Sequence, residues 1–144
     1  MKRTNCMISC LCGLMALLSC SSQKVVSPNG KLSLANNGEA YVVNYHGTPV
    51  LNIKAKGFEG VKADAKKDIT FSRHIKEDYT MLSGKRLHCT NEANEYRVAL
   101  DENTTLVWRL YNDGVAFRYE LKGLNGGSLP HEVTSYKIPE GTTR

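Results

Sequence analysis

The side chains in this sequence that could do acid–base chemistry are carboxylates. Glu77-Asp78, Glu92, Glu95, Asp101-Glu102, Asp113 and Glu120 are the candidates. Hydrolysis between paired carboxyls needs two of them fixed across one bond, one protonated and one ionised. Adjacent residues in an extended chain point to opposite faces, so neither Glu77 with Asp78 nor Asp101 with Glu102 forms such a pair locally. Asp113 is accounted for by the Asn112-Asp113-Gly114 turn. A pair assembled across strands is the remaining route.

Other chemistries find less support. His46, His74, His88 and His131 lack the spacing that puts two ligands on one helical face. No Ser sits in a Gly-x-Ser-x-Gly elbow. The glycines between Gly123 and Gly127 have no helix after them to bind phosphate. Cys10-Leu11-Cys12 has the wrong spacing for a zinc knuckle. Of five cysteines only Cys89 lies in the body of the chain, where it reads as a small buried strand residue.

The elements that must position these residues read as strands. Leu106 to Leu121 is the clearest stretch. Leu106, Trp108 and Leu110 alternate with Val107, Arg109 and Tyr111; Val115, Phe117, Tyr119 and Leu121 alternate with Ala116, Arg118 and Glu120. Period-2 patterning predicts one buried face per strand. Asp-Gly between them tolerates the positive φ angles of a tight hairpin. Arg109 and Arg118 have Glu120 and Asp113 nearby, so cross-strand ion pairing is the plain expectation for them.

Upstream, strands are predicted at Lys31–Leu34, Ala40–Tyr45 and Thr48–Ile53. The Asn36-Asn37-Gly38 and His46-Gly47 turns separate them. Ala55 to Asp68 reads as a loop with a short strand at Phe58–Val61 or a short helix over Val61–Lys67. Ile69 to Leu82 reads as extended, with Ile69, Phe71, Tyr79 and Leu82 turned inward. Lys85–Thr90 and Glu95–Leu100 read as two more strands, and His131–Ile138 as a last, weaker one. Short strands with frequent turns predict an all-β sandwich or barrel in one domain, as the length of 144 residues allows.

The first twenty residues differ. Lys2 and Arg3 precede a mostly apolar stretch, Ile8 to Leu18, well short of the roughly 20 residues a membrane span needs. Leu17-Leu18-Ser19-Cys20 follows and resembles a bacterial lipobox, in which the cysteine is acylated and becomes the new N-terminus. Residues 1–19 are thus expected to be a lipoprotein signal peptide, Cys20 the lipid attachment site and residues 20–26 a tether; a plain signal peptide cut elsewhere is the alternative. Removing residues 1–19 takes 2 of 19 basic residues and no acidic one, leaving 17 − 14 = +3. With no long basic run, nucleic-acid binding is not expected. The expected place is the cell envelope, lipid-anchored in the periplasm or at the outer membrane.

Ser27-Pro-Asn-Gly-Lys-Leu32, His46-Gly-Thr-Pro-Val-Leu51, Arg109-Leu-Tyr-Asn-Asp-Gly-Val-Ala-Phe-Arg-Tyr119 and Ile138-Pro-Glu-Gly141 occur in an order that resembles the N-terminal domain of glycoside hydrolase family 97. These are α-glucosidases and α-galactosidases best known from gut Bacteroidetes. The resemblance implies an antiparallel, galactose-mutarotase-like β-sandwich over residues 27–144, covering part of that domain, and a lipid-anchored envelope enzyme acting on carbohydrate. In the family this domain packs against a catalytic barrel. The family's catalytic carboxylates and calcium-binding glutamates have no counterparts before residue 144, so no catalytic residue, metal ligand or cofactor is assigned to this chain. The expected role is structural support of a barrel, without activity alone; a free-standing carbohydrate-binding surface lipoprotein is the alternative. Half a sandwich would also leave a sheet edge and an apolar face open, predicting association.

Tyr41, Tyr45, Trp108, Tyr111 and Tyr119 could stack on sugar rings or fill a core. Trp108 and Tyr111 are the candidate sugar contacts.

Overall fold

The computed structural model describes residues 24–61, 68–85, 87–123, 128 and 130–141. The leader, Cys20, most of the tether, nearly all of Val61–Lys67 and the middle of the Gly123–Ser128 loop lie outside them. Within the described residues the chain is all strand, in two antiparallel sheets.

The strands are β1 (Val25–Val26), β2 (Leu32–Asn36), β3 (Tyr41–Tyr45), β4 (Thr48–Phe58), β5 (Thr70–Thr80), β6 (His88–Ala99), β7 (Thr104–Tyr111), β8 (Val115–Leu121) and β9 (Glu132–Lys137). The first sheet runs β1-β2-β3-β4-β9 and the second β5-β6-β7-β8. Alternation decides what fills the space between them. Leu34, Val43, Ile53 and Ala55 come from the first sheet, and Tyr96, Val98, Leu106, Trp108 and Leu110 from the second. The central hairpin is as expected: Leu106, Trp108 and Leu110 have no exposure at all.

Turn chemistry sets the register. His46 and Gly47 both take positive φ, 49° and 81°, which closes a two-residue hairpin between paired Tyr45 and Thr48. Gly57 takes φ 86° at a register shift in the β4–β9 ladder. A Cβ there would lie 3.3 Å from Leu100 Cδ1.

Four expectations are corrected. The strand expected to stop at Ile53 continues to Phe58, because the Gly57 bulge bends β4 without ending it. The strands expected at Lys85–Thr90 and Glu95–Leu100 merge in one strand, β6 (His88–Ala99), whose first residues pair with the outer half of β5 as a two-stranded ribbon beyond β7. Polar Asn91 to Asn94 concealed that continuity. On β5, Tyr79 and Leu82 lie in or beyond this ribbon and are exposed, while Phe71 leans on Tyr96 at the sheet edge yet remains 44% exposed. The buried residue of β5 is Ile75, opposite Ala93. Finally, Val25 and Val26 belong to the sheet: Val26 N–H donates to the Tyr96 hydroxyl at 3.0 Å, and the Val26 carbonyl accepts from Tyr96 and from Asn94 Nδ2, each at 2.9 Å. Strand β1 therefore clasps one sheet to the other.

Candidate functional site

The solvent face of the second sheet carries the charged residues of β5 to β8. Register places Arg73 and Arg109 on either side of Glu95. Glu95 is 1% exposed on the face that Arg73 shares with it and where the Arg73 side chain is 58% exposed. Arg73 donates through Nε and Nη2 at 3.2 and 3.4 Å, and Arg109 donates through Nε at 2.9 Å. Burial pulls the Glu95 carboxyl upward, but the hydrogen bonds and charges of Arg109 and Arg73 outweigh it and hold it below its usual value. The bond to Glu95 raises the Arg109 guanidinium in turn.

A second cluster lies one step along the strands. Glu120 accepts from Arg118 Nη2 at 2.7 Å and from Arg97 Nη1 at 2.8 Å. Arg118, then Arg97, depress its carboxyl against an opposing desolvation effect. Val107, directly opposite both Arg97 and Arg118, is 1% exposed, consistent with arginine stems lying over it. Cross-strand pairing, the expectation for both arginines, does not hold for Arg118, which bonds Glu120 two residues along its own strand. Arg109 pairs with Glu95, and not with Glu120 or Asp113.

This geometry limits the chemistry. A carboxyl forked between two guanidiniums stays ionised and has its lone pairs occupied, so Glu95 and Glu120 are suited neither to general acid nor to general base work. Both are structural ties across strands. Among the described residues no three of His, Cys, Asp or Glu gather as a cation site, so no calcium-binding set is found there.

The two expected sugar contacts separate. Trp108 is a core residue: its ring has no exposure and packs against Tyr41 at 4.9 Å and Phe117 at 5.0 Å between centroids. No face is left to stack on a ligand, which corrects that expectation for Trp108. Tyr111 is half-buried on the solvent face, beside Arg109 in a hollow of about 140 Å³ that also touches Val107, Ala116 and Arg118. The five aromatics do not form one platform. Tyr41 is buried and Tyr45 is exposed at the far end of β3. Burial pushes the Tyr41 phenol up to about 12, with the nearby Tyr119 adding to it.

A larger cleft opens where β8 faces β4 and β9. It measures about 770 Å³ and is lined by Phe58, Phe117, Tyr119, Tyr136 and Glu132 among others. Phe58 and Tyr119 stack at 5.2 Å, and Phe117 approaches Tyr136 at 6.4 Å. The Tyr119 hydroxyl accepts from Gly57 N–H at 3.3 Å and bonds the Thr134 hydroxyl at 3.0 Å. Tyr136 is 61% exposed. Alternation put Phe117 and Tyr119 on the inward face. Nothing in the sequence signalled that β9 would pair with β4 and bring Tyr136 beside them.

No curated relative matches the chain. Solved structures of a glycoside hydrolase family 97 enzyme from Pseudoalteromonas sp. strain K8 are similar. The complexes with panose and with acarbose each align at 20% identity with a TM-score of 0.53. A further variant of that enzyme aligns at 21% identity with the same TM-score. The alignments cover 72% of this chain and 18% of those chains, so the likeness is one of fold, over less than a fifth of the enzyme. The profile of the family described as "Glycosyl-hydrolase 97 N-terminal" matches residues 25–144. That match begins at β1 and takes in every strand of both sheets, and by it the chain belongs to the glycosyl-hydrolase 97 N-terminal family.

Proposed function

We propose that this chain is the N-terminal β-sandwich portion of a lipid-anchored family 97 α-glycosidase. It supports and shapes the sugar site of a catalytic barrel and is not active alone. The observation that carries the reading is the family match over residues 25–144. Two features of the sandwich support a scaffolding role. Its deepest carboxylate, Glu95, is committed to Arg73 and Arg109. Its only tryptophan is spent on the core. In this reading the catalytic carboxyls and the calcium ligands come from elsewhere in the full-length enzyme, and Cys20 carries the lipid that holds it at the cell envelope.

Two measurements test it. An antibody against residues 25–141 should detect, in the native cells, a membrane-associated product several-fold heavier than this chain. Purified chain should show no turnover of α-glucosides or α-galactosides; turnover that co-purifies with it would overturn the reading.

The aromatic cleft favours a second reading, a carbohydrate-binding lipoprotein. Ring faces at Tyr136 and Phe117 suit the apolar face of a pyranose. A native product of this chain's own size, together with calorimetric heat on adding malto-oligosaccharides, would favour it. Tyr111 is the other aromatic to vary in that experiment.

A further inference from the structure

Both ring nitrogens of His74 meet an acceptor. Register sets His74 of β5 opposite Asn94 of β6, the residue whose amide reaches across to β1. His74 Nδ1 lies 2.8 Å from Asn94 Oδ1, and Nε2 lies 3.4 Å from Glu92 Oε1. The Asn94 amide is not free to turn over. Its Nδ2 donates to the Val26 carbonyl at 2.9 Å, so its oxygen is the atom left for His74. A neutral imidazole has one N–H and one lone pair. With the proton on Nδ1, the Nε2 lone pair faces a carboxylate. With the proton on Nε2, Asn94 either sets its oxygen against the ring lone pair or rotates and loses Val26. Only the imidazolium suits both neighbours.

The two contacts lead to one segment. Through Asn94, His74 reaches Val26 in β1. Through Glu92 it reaches Asn112, whose Nδ2 donates to Glu92 Oε2 at 3.5 Å and whose Oδ1 accepts from Asn29 N–H at 2.9 Å. Val26 and Asn29 bracket the turn that follows β1.

We propose that His74 is a pH-sensitive latch on β1 and the turn after it, closed while its ring is charged and eased when the ring is neutral. Histidine changes charge between about pH 5 and 8, where ordinary carboxylates and lysines do not. The charge around it is of the right sign. Glu92 is the anion on β6. Lys76, two residues along β5 and opposite Glu92 in the register, is a fixed cation beside the same carboxylate. Asp78 and His88 lie farther out along the ribbon, and the Tyr96 hydroxyl is bonded to Val26. In acid the cation holds both arms; as pH rises, one arm is given up. His74 and Glu92 are 45% and 43% exposed, so the effect is that of a solvated pair, about threefold in how often the segment opens.

The test uses the full chain, in reductant and mild detergent. Amide exchange at Val26 and Asn29 is read as protection over the unstructured rate at each pH, relative to Leu106. In the wild type, protection of at least one of the two should be about threefold greater at pH 5.5 than at pH 8. His74→Gln keeps a donor and an acceptor without the charge and should abolish the difference. Glu92→Gln should shrink it. Equal protection at the two pH values overturns the proposal, and so does a difference that His74→Gln leaves intact, which would belong to another titrating group. A second reading needs no variant. The proton shift of the His74 ring and the protection of the responding amide, followed through the same pH series, should change with one midpoint; separate midpoints overturn the proposal.

Discussion

Glu95 and Arg109 face each other across β6 and β7, 2.9 Å apart, on the outer side of the sheet where neither would need to be buried. Arg73 completes the contact from β5, so one carboxylate ties three strands together. Its folded pKa lies below the ordinary 4.5. The unfolded chain therefore binds the proton more readily. The stabilisation is complete above the unfolded value and is lost as pH falls through the folded one. Glu95→Gln should cost about 2 kcal/mol at neutral pH, since two guanidiniums lose their charged partner but stay partly hydrated. It should also flatten the fall in stability below pH 4.5. Urea melts of both chains from pH 7 to pH 3 check this; parallel curves would show that Glu95 is not the group responsible.

Trp108 and Tyr111 should part company on truncation. Trp108→Ala removes the largest buried side chain and should cost roughly 3–5 kcal/mol. Trp108→Phe should cost clearly less, because the indole N–H it removes has no acceptor among the described residues. Tyr111→Ala, on the solvent face, should cost about 1 kcal/mol or less. Denaturant midpoints decide it. Equal losses at the two positions would mean that Trp108 is not the keystone of the core.

Gly57→Ala should destabilise by about 2 kcal/mol, because alanine is strained at positive φ and the new methyl crowds Leu100. The observable is the thermal midpoint. An unchanged midpoint would argue against the bulge in β4.

Tyr96→Phe should lose about 1–2 kcal/mol by removing both bonds between its hydroxyl and Val26. Amide exchange at Val26 should quicken by far more than at Leu106. Uniform acceleration across the chain would instead mean that β1 opens only with the whole fold.

How far these features could be read from the sequence depended on local pattern. The β7–β8 hairpin was legible because alternation, a single Asp-Gly turn and the lone Trp agreed with one another. Phe71 and Ile75 were harder. A register shift between them turns Phe71 toward Tyr96 and Ile75 to the opposite face, so no single inward stripe runs along β5. The Glu95 contact was hidden for a related reason. The polar residues Asn91, Glu92 and Asn94 split β6 into two short patterns in the sequence, which leaves no local register from Glu95 to Arg109, while Asp113 lies only four residues from that arginine. The cleft was least legible of all. It depends on β9 crossing back to β4, and a long-range pairing leaves no local trace in Glu132 to Lys137.

The clasp at Val26 has a mechanical meaning. Any pull on the N-terminus enters the sandwich at β1. The two-residue pairing with β2 would yield early if it carried that load by itself. The bonds to Tyr96 and Asn94 pass the force to the second sheet as well, so it is shared as shear across both layers instead of peeling one strand from its neighbour. A sandwich gripped in this way can be held by its leading end without being unravelled from it.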